Sequence, residues 1–316
     1  MTQNMSISRI LLRIGIAAAI CGAAWLIYRA LNRYSFGEIT DALSTISAGR
    51  LIAAVAFAAG SYLCLTGFDY LGIRYSGNRL AYRRVALASF TSLSIGHNVG
   101  VAALSSGAIR YRFYSRWGLN AEHVAKIIIF SGITVGLGLV TIGGIGLLMY
   151  PEDAESLMNM SERAVIGAAL ACLAVPAAYL AASVFVRGTV RVRRWHFRLP
   201  RPGLAIAQIA VGAANYAFVA ACLHQLLTAL APVPYLEVAA VYAIANGTAL
   251  VSHVPGGLGV LEATVVFLLP GAGSVAAMIA FRIVYFFVPL ALGLPLFLGS
   301  EYFMRPGSSA SPRSAE

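Results

Sequence analysis

The chain has 316 residues, of which 59% are hydrophobic and only 11% charged, with a mean hydropathy of +0.78. A soluble domain of this length carries roughly a quarter charged residues, so the composition excludes a water-soluble enzyme and leaves an integral membrane protein built as one helical module. The formal net charge of +11 is nearly all arginine in loops between apolar runs, which points to orientation by the positive-inside rule rather than to nucleic-acid binding.

Stretches of about 20 apolar residues are long enough to cross a bilayer. They predict spans near 10–29, 51–72, 127–149, 163–186, 204–230 and 275–299. The first is expected to be a retained helix, because it has no small-residue cleavage site of the kind a secretory signal carries. Two further apolar segments, 85–104 and 237–269, differ from the others. Each is interrupted by glycine and small polar residues, and each contains a histidine. Cys21, Cys64, Cys172 and Cys222 lie inside apolar runs, without metal-site or disulfide spacing, and read as small packing residues.

The loops set the orientation. Arg74, Arg79, Arg83 and Arg84 follow the second span; Arg110, Arg112, Arg116 and Lys126 precede the third; Arg187, Arg191, Arg193, Arg194, Arg198 and Arg201 follow the fourth. The 150–162 loop instead holds Glu152, Asp153, Glu155 and Glu162. The basic loops are expected in the cytoplasm and the acidic one outside; Arg29, Arg33 and Arg50 run counter to this scheme. Segment 85–104 must then enter and leave from the cytoplasmic side and 237–269 from the outer side. Six spans put both termini in the cytoplasm, with a disordered tail over 305–316 after a module covering 1–304. Residues 51–149 and 204–299 each run span, broken segment, span, with breaks at Ser105–Ser106–Gly107 and Pro255–Gly256–Gly257 about 150 residues apart. Inverted repeats with discontinuous helices are a transporter signature. The expected fold is all-α and polytopic: six spanning helices plus two re-entrant helical hairpins in inverted repeats.

The run from His253 through Val254, Pro255, Gly256, Gly257, Leu258, Gly259, Val260 and Leu261 to Glu262 puts a helix break beside two ionisable residues at membrane depth. Proline removes a backbone donor and glycine is a poor helix former, and hydrocarbon tolerates broken backbone only where protein or a watery cavity meets it. This stretch resembles the second signature of the lysylphosphatidylglycerol synthase transmembrane (flippase) region. Ser105 to Arg112, followed by Ser115–Arg116–Trp117–Gly118–Leu119, resembles the first, and Arg282 with Tyr285 and Pro289 is similar to the third. The resemblance implies a polytopic bacterial inner-membrane protein that moves lipid between leaflets. The family's bifunctional members add a soluble aminoacyltransferase domain; nothing in this chain matches one, so lipid aminoacylation is not expected.

The short helix that starts after Pro255–Gly256–Gly257 offers free amides and the positive end of its dipole, which suit a phosphate; a tight helix-packing point is the alternative. Candidate headgroup-binding residues are therefore Gly256, Gly257, Gly259 and His253 at this break, with Ser106, Gly107 and Arg110 at the other. Arg110 is the expected clamp, since guanidinium binds phosphate bidentately. Arg112 and Arg116 read as orientation charges that also meet anionic lipid. Glu262 and Arg282 are expected to have partners, because an unpaired charge at mid-membrane costs roughly 2.5–3.5 kcal/mol. Their pair either fixes helix packing, or lines the cavity as gate and counter-charge and opens when a lipid phosphate competes for Arg282. Asp69 is expected at the interface beside Arg74, or as a contact for a cationic headgroup or coupling proton. His97 and His224 read as core histidines, and no spacing supports a metal.

No nucleotide, nucleophile or metal motif is present, so no cofactor and no enzymatic activity are expected. The leading function is a phospholipid translocase acting on anionic or aminoacylated lipid. The alternatives are a channel or small-solute facilitator, and a lipid-modifying membrane enzyme using Glu262 and His253 as acid and base. Expected partners are membrane phospholipid, a second copy of the chain and a separate lipid-modifying enzyme; nucleic acid is not among them.

Overall fold

The computed structural model describes residues 36–98, 102–149, 151, 160–186, 189–192, 195–252, 254–269 and 274–303. The expected first span, Cys21, His253 and the tail over 305–316 lie outside the described residues. A short helix, α1 (Phe36–Ser44), leads into α2 (Ala48–Tyr75), and α3 (Tyr82–Gly96) is followed by α4 (Ala102–Arg116). Then come α5 (Ala121–Met149), α6 (Glu162–Phe185), α7 (Pro202–Leu227), α8 (Tyr235–Ser252), a tight turn at Pro255–Gly257 and α9 (Val260–Leu268). The last rod starts as α10 (Ser274–Phe281), widens into a π turn over Arg282–Phe287, and continues as α11 (Val288–Phe303). Six helices are long and apolar enough to span a membrane: α2, α5, α6, α7, α8 and the α10–α11 rod. The protein is an all-α, polytopic membrane protein. The basic loop after α6 adds one feature that hydropathy did not predict, a small antiparallel hairpin of β1 (Thr189–Val192) and β2 (Trp195–Arg198), pairing Thr189 with Arg198 and Val192 with Trp195.

Side-chain contacts sort the helix ends into two faces. On one face, Tyr75 at the end of α2 donates its hydroxyl to the Arg198 carbonyl of β2, and Arg112 and Arg116 at the end of α4 pair with Glu301 at the end of α11. On the other, Arg50 at the start of α2 donates from Nη1 to Gln225 Oε1 and Thr228 Oγ1 at the end of α7, at 2.9 and 3.0 Å. Arg50, which ran counter to the charge rule, thus has local acceptors.

Both hairpins stop half-way. Gly146 faces Ala240, Gly143 faces Ala243 and Gly247 faces Leu139, so α8 descends along α5 residue for residue. Extending that register puts Ser252 opposite Thr134, near the middle of the 29-residue α5. Although α8 is long enough to cross, its chain turns there and returns through the 9-residue α9. From the other face, α3 crosses α2 obliquely: Tyr82 meets Thr66, Ser89 bonds the Leu65 carbonyl, and the His97 ring lies against Tyr62. Tyr62 is at the middle of the 28-residue α2. Span, hairpin, span therefore occurs twice, with the hairpins entering from opposite faces.

The first break is not where the small polar residues suggested. Ser105, Ser106 and Gly107 lie inside α4, and the interruption falls between Gly96 and Ala102. Serine and a single glycine weaken a helix by only about 1 kcal/mol, which packing overrides: Gly107 sits against the Ile128 side chain. The frame around the hairpins is tight. Gly138 of α5 and Gly212 of α7 cross with their backbones in contact, the close approach small residues allow in membranes. Side chains such as Leu63, Phe185 and Phe267 face outward, 64%, 81% and 76% exposed, as a lipid-facing surface requires.

Candidate functional site

The second tip is built from left-handed backbone. Gly256, Gly257 and Gly259 have φ of +60°, +59° and +84°, a region only glycine enters without strain. This turn aims two carbonyls at the π turn, where Arg282 Nη1 donates to Gly256 O at 2.7 Å and Nη2 to Gly257 O at 3.0 Å. Arg282 Nε donates to Glu262 of α9, and the guanidinium lies 4.5 Å over the Phe286 ring. Arg282 is 3% exposed. Glu262 and Arg282 are a buried pair, as both sequence readings require. Glu262 also accepts from the Gly259 amide at 2.8 Å, so the start of α9 is already capped by its own carboxylate. The expected free dipole end for a phosphate is thus occupied in this conformation.

The π turn follows from Pro289. Proline has no N–H to give the Tyr285 carbonyl, and that carbonyl instead accepts from the Tyr62 hydroxyl at 3.3 Å. The Phe286 carbonyl accepts from Asn98 Nδ2, at the tip of the first hairpin, at 3.2 Å. The two tips meet here. A Cβ on Gly256 would stand 3.0 Å from the His97 carbonyl, so any side chain at 256 pushes the hairpins apart. π turns of this kind recur at functional sites.

The second buried cluster joins the first hairpin to its frame. Asp69 accepts from Arg110 Nε and Nη2 at 2.8 and 2.9 Å, from Tyr114 Oη at 2.9 Å and from Ser131 Oγ at 3.1 Å. Arg110 Nη1 donates to Ser106 Oγ at 3.1 Å. Asp69 is fully buried and Arg110 4% exposed. This corrects the expected interfacial pair of Asp69 with Arg74, which instead donates to the Tyr70 hydroxyl. It also shows the Arg110 fork filled by a carboxylate rather than open to a headgroup. Arg112 and Arg116, expected as orientation charges, share Glu301.

Several members of these clusters were not singled out from sequence: Tyr114, Ser131, Asn98, Tyr62 and Glu301. Tyrosine, serine and asparagine are common in membrane helices, and a lone glutamate near a helix end has no spacing signal. The one clue was arithmetic, since each buried arginine needed one acid and the chain has only 12 Asp and Glu. Among the described residues no cluster of His, Cys, Asp and Glu could hold a metal.

The family described as the lysylphosphatidylglycerol synthase TM region matches residues 10–293. A Synechocystis sp. protein called uncharacterized protein slr0712 is 30% identical over 264 residues, 82% of each chain. The inner membrane protein YbhN of Escherichia coli (strain K12) is 28% identical over 278 residues, 84% of this chain and 85% of its own. The family match runs through nearly all of the chain, which therefore belongs to the lysylphosphatidylglycerol synthase transmembrane-region family.

Proposed function

We propose that the protein is a phospholipid translocase that moves anionic or aminoacylated lipid between the leaflets of the bacterial inner membrane. The observation that carries this reading is the convergence of both hairpin tips, half-way through the helical frame, on the buried Arg282–Glu262 pair. A lipid phosphate offers the same bidentate acceptor as a carboxylate. It can replace Glu262 on Arg282 as the tips part, and Glu262 then serves as gate and counter-charge. The headgroup passes between the repeats while its tails stay in the bilayer. Arg110 and Asp69 hold the first hairpin to the frame during this motion. The lipid leaves chemically unchanged, and drive comes from an ion gradient or from lipid asymmetry. The face that carries Arg198, Arg112 and Arg116 is the cytoplasmic one by the positive-inside rule, and α11 ends there.

The test is transbilayer movement of labelled phosphatidylglycerol in proteoliposomes, under imposed pH and voltage gradients. Wild-type protein is expected to exceed empty vesicles; Glu262→Gln and Arg282→Gln, confirmed folded, are expected to lose most of the rate. Wild-type rates equal to those of empty vesicles under every gradient refute the proposal.

A further inference from the structure

Where the first hairpin leaves the membrane, α4 and α11 end side by side. Arg112 donates from Nε to Glu301 Oε1 at 2.7 Å and from Nη2 to Oε2, and Arg116 Nη2 donates to the same Oε2 at 2.7 Å. Two guanidiniums thus share one carboxylate, leaving one positive charge in excess. Arg116 Nη1 is enclosed and has no acceptor among the described residues. The next residue, Trp117, is half-buried, and the exposed Arg84 places its guanidinium 5.9 Å over the indole ring. Tryptophan and arginine together mark the headgroup level of a bilayer.

We propose that Arg116, Arg112, Trp117 and Arg84 form a surface site for one anionic phospholipid headgroup, distinct from the mid-depth Arg282 pair. The occupant has to carry a negative charge to balance the excess and offer an acceptor to the exposed Arg84 guanidinium beside Trp117. The phosphodiester of an anionic lipid does both. A zwitterionic lipid brings the acceptor with its own compensating cation, and so adds no net charge. Glu301 holds Arg112 and Arg116 together at the end of α4, so that their excess charge stays beside Trp117 and Arg84. This site needs no transport to exist, and its test is independent of the translocase reading.

Trp117 supplies the reporter once Trp25 and Trp195 are replaced by Phe in the full chain. The protein is placed in nanodiscs containing phosphatidylglycerol or phosphatidylcholine brominated near the headgroup. Phosphatidylglycerol is expected to be enriched at Trp117 about fivefold over phosphatidylcholine, the factor expected of one effective cation at an anionic surface. Arg116→Gln leaves the Arg112–Glu301 pair intact and is expected to bring the ratio close to one, whereas Arg79→Gln, an exposed loop charge, leaves it unchanged. Equal quenching by the two lipids overturns the site. So does an equal loss in Arg79→Gln, which makes the effect general surface charge, or reversal by inorganic phosphate, which makes it a soluble-anion site. Native mass spectrometry of the unsubstituted chain from mixed lipid gives a second readout: retention of one phosphatidylglycerol is expected, and its absence overturns the proposal.

Discussion

Asp69→Asn is the most informative single change. The carboxylate accepts four hydrogen bonds, two of them from Arg110, and both residues are shut away from solvent. Removing the negative charge strands a guanidinium among α2, α4 and α5, and breaking a buried ion pair by one partner costs about 3–5 kcal/mol. The amide keeps one acceptor oxygen for Tyr114 or Ser131, so the lower half of that range, about 3–4 kcal/mol, is the expected loss. Reversible unfolding in mixed micelles of rising SDS content measures it. The decisive comparison is with the double variant, Asp69→Asn combined with Arg110→Gln, which removes the stranded charge as well. The double variant is expected to recover at least half of the single loss, giving a coupling well above the scatter expected of independent sites, about 0.3–0.5 kcal/mol. Additive losses, or a single loss under about 1 kcal/mol, refute the view that this pair fastens the first hairpin to its frame.

Gly138→Ala places a methyl group against the Gly212 backbone and is expected to destabilise the α5–α7 crossing by about 1–3 kcal/mol; the same unfolding measurement checks it, with Gly136→Ala, which meets nothing within 4 Å, as the silent control. Pro289→Ala restores a donor for the Tyr285 carbonyl, so the π turn is expected to relax toward α-helical register and to turn Arg282 away from the Gly256 and Gly257 carbonyls. Lipid movement should fall in this variant while thermal stability holds or rises; unchanged transport counts against a working role for the π turn.

The long rods were legible because hydropathy alone determines them: α2, α5, α6, α7 and the final rod each begin and end within a few residues of the apolar runs. The second hairpin was legible for a stronger reason, since Pro255 and three glycines leave the backbone no helical option. The first hairpin was only half visible. Its first arm ends in a turn at His97–Asn98, which carry no proline, and its second arm includes residues too polar to stand out in a hydropathy pattern. Pairings were the least visible part. Asp69 lies 41 residues from Arg110, and Arg112 lies 189 from Glu301, distances at which spacing along the chain says nothing about proximity. Position near Arg74 in sequence was a misleading guide for Asp69 because the helix carries its side chain inward, against α4 and α5.

Each arm of the first hairpin is 15 residues long, about 22 Å of helix, and is anchored at its outer end. Such an arm is a lever. On α4 the fulcrum is Arg110, clasped by Asp69 about 12 Å from the start of the helix; a tilt of about 15° there sweeps the tip by about 3 Å, enough to admit a water molecule between Gly256 and the His97 carbonyl. The centre of the molecule can therefore open and shut while its two outer faces scarcely change shape.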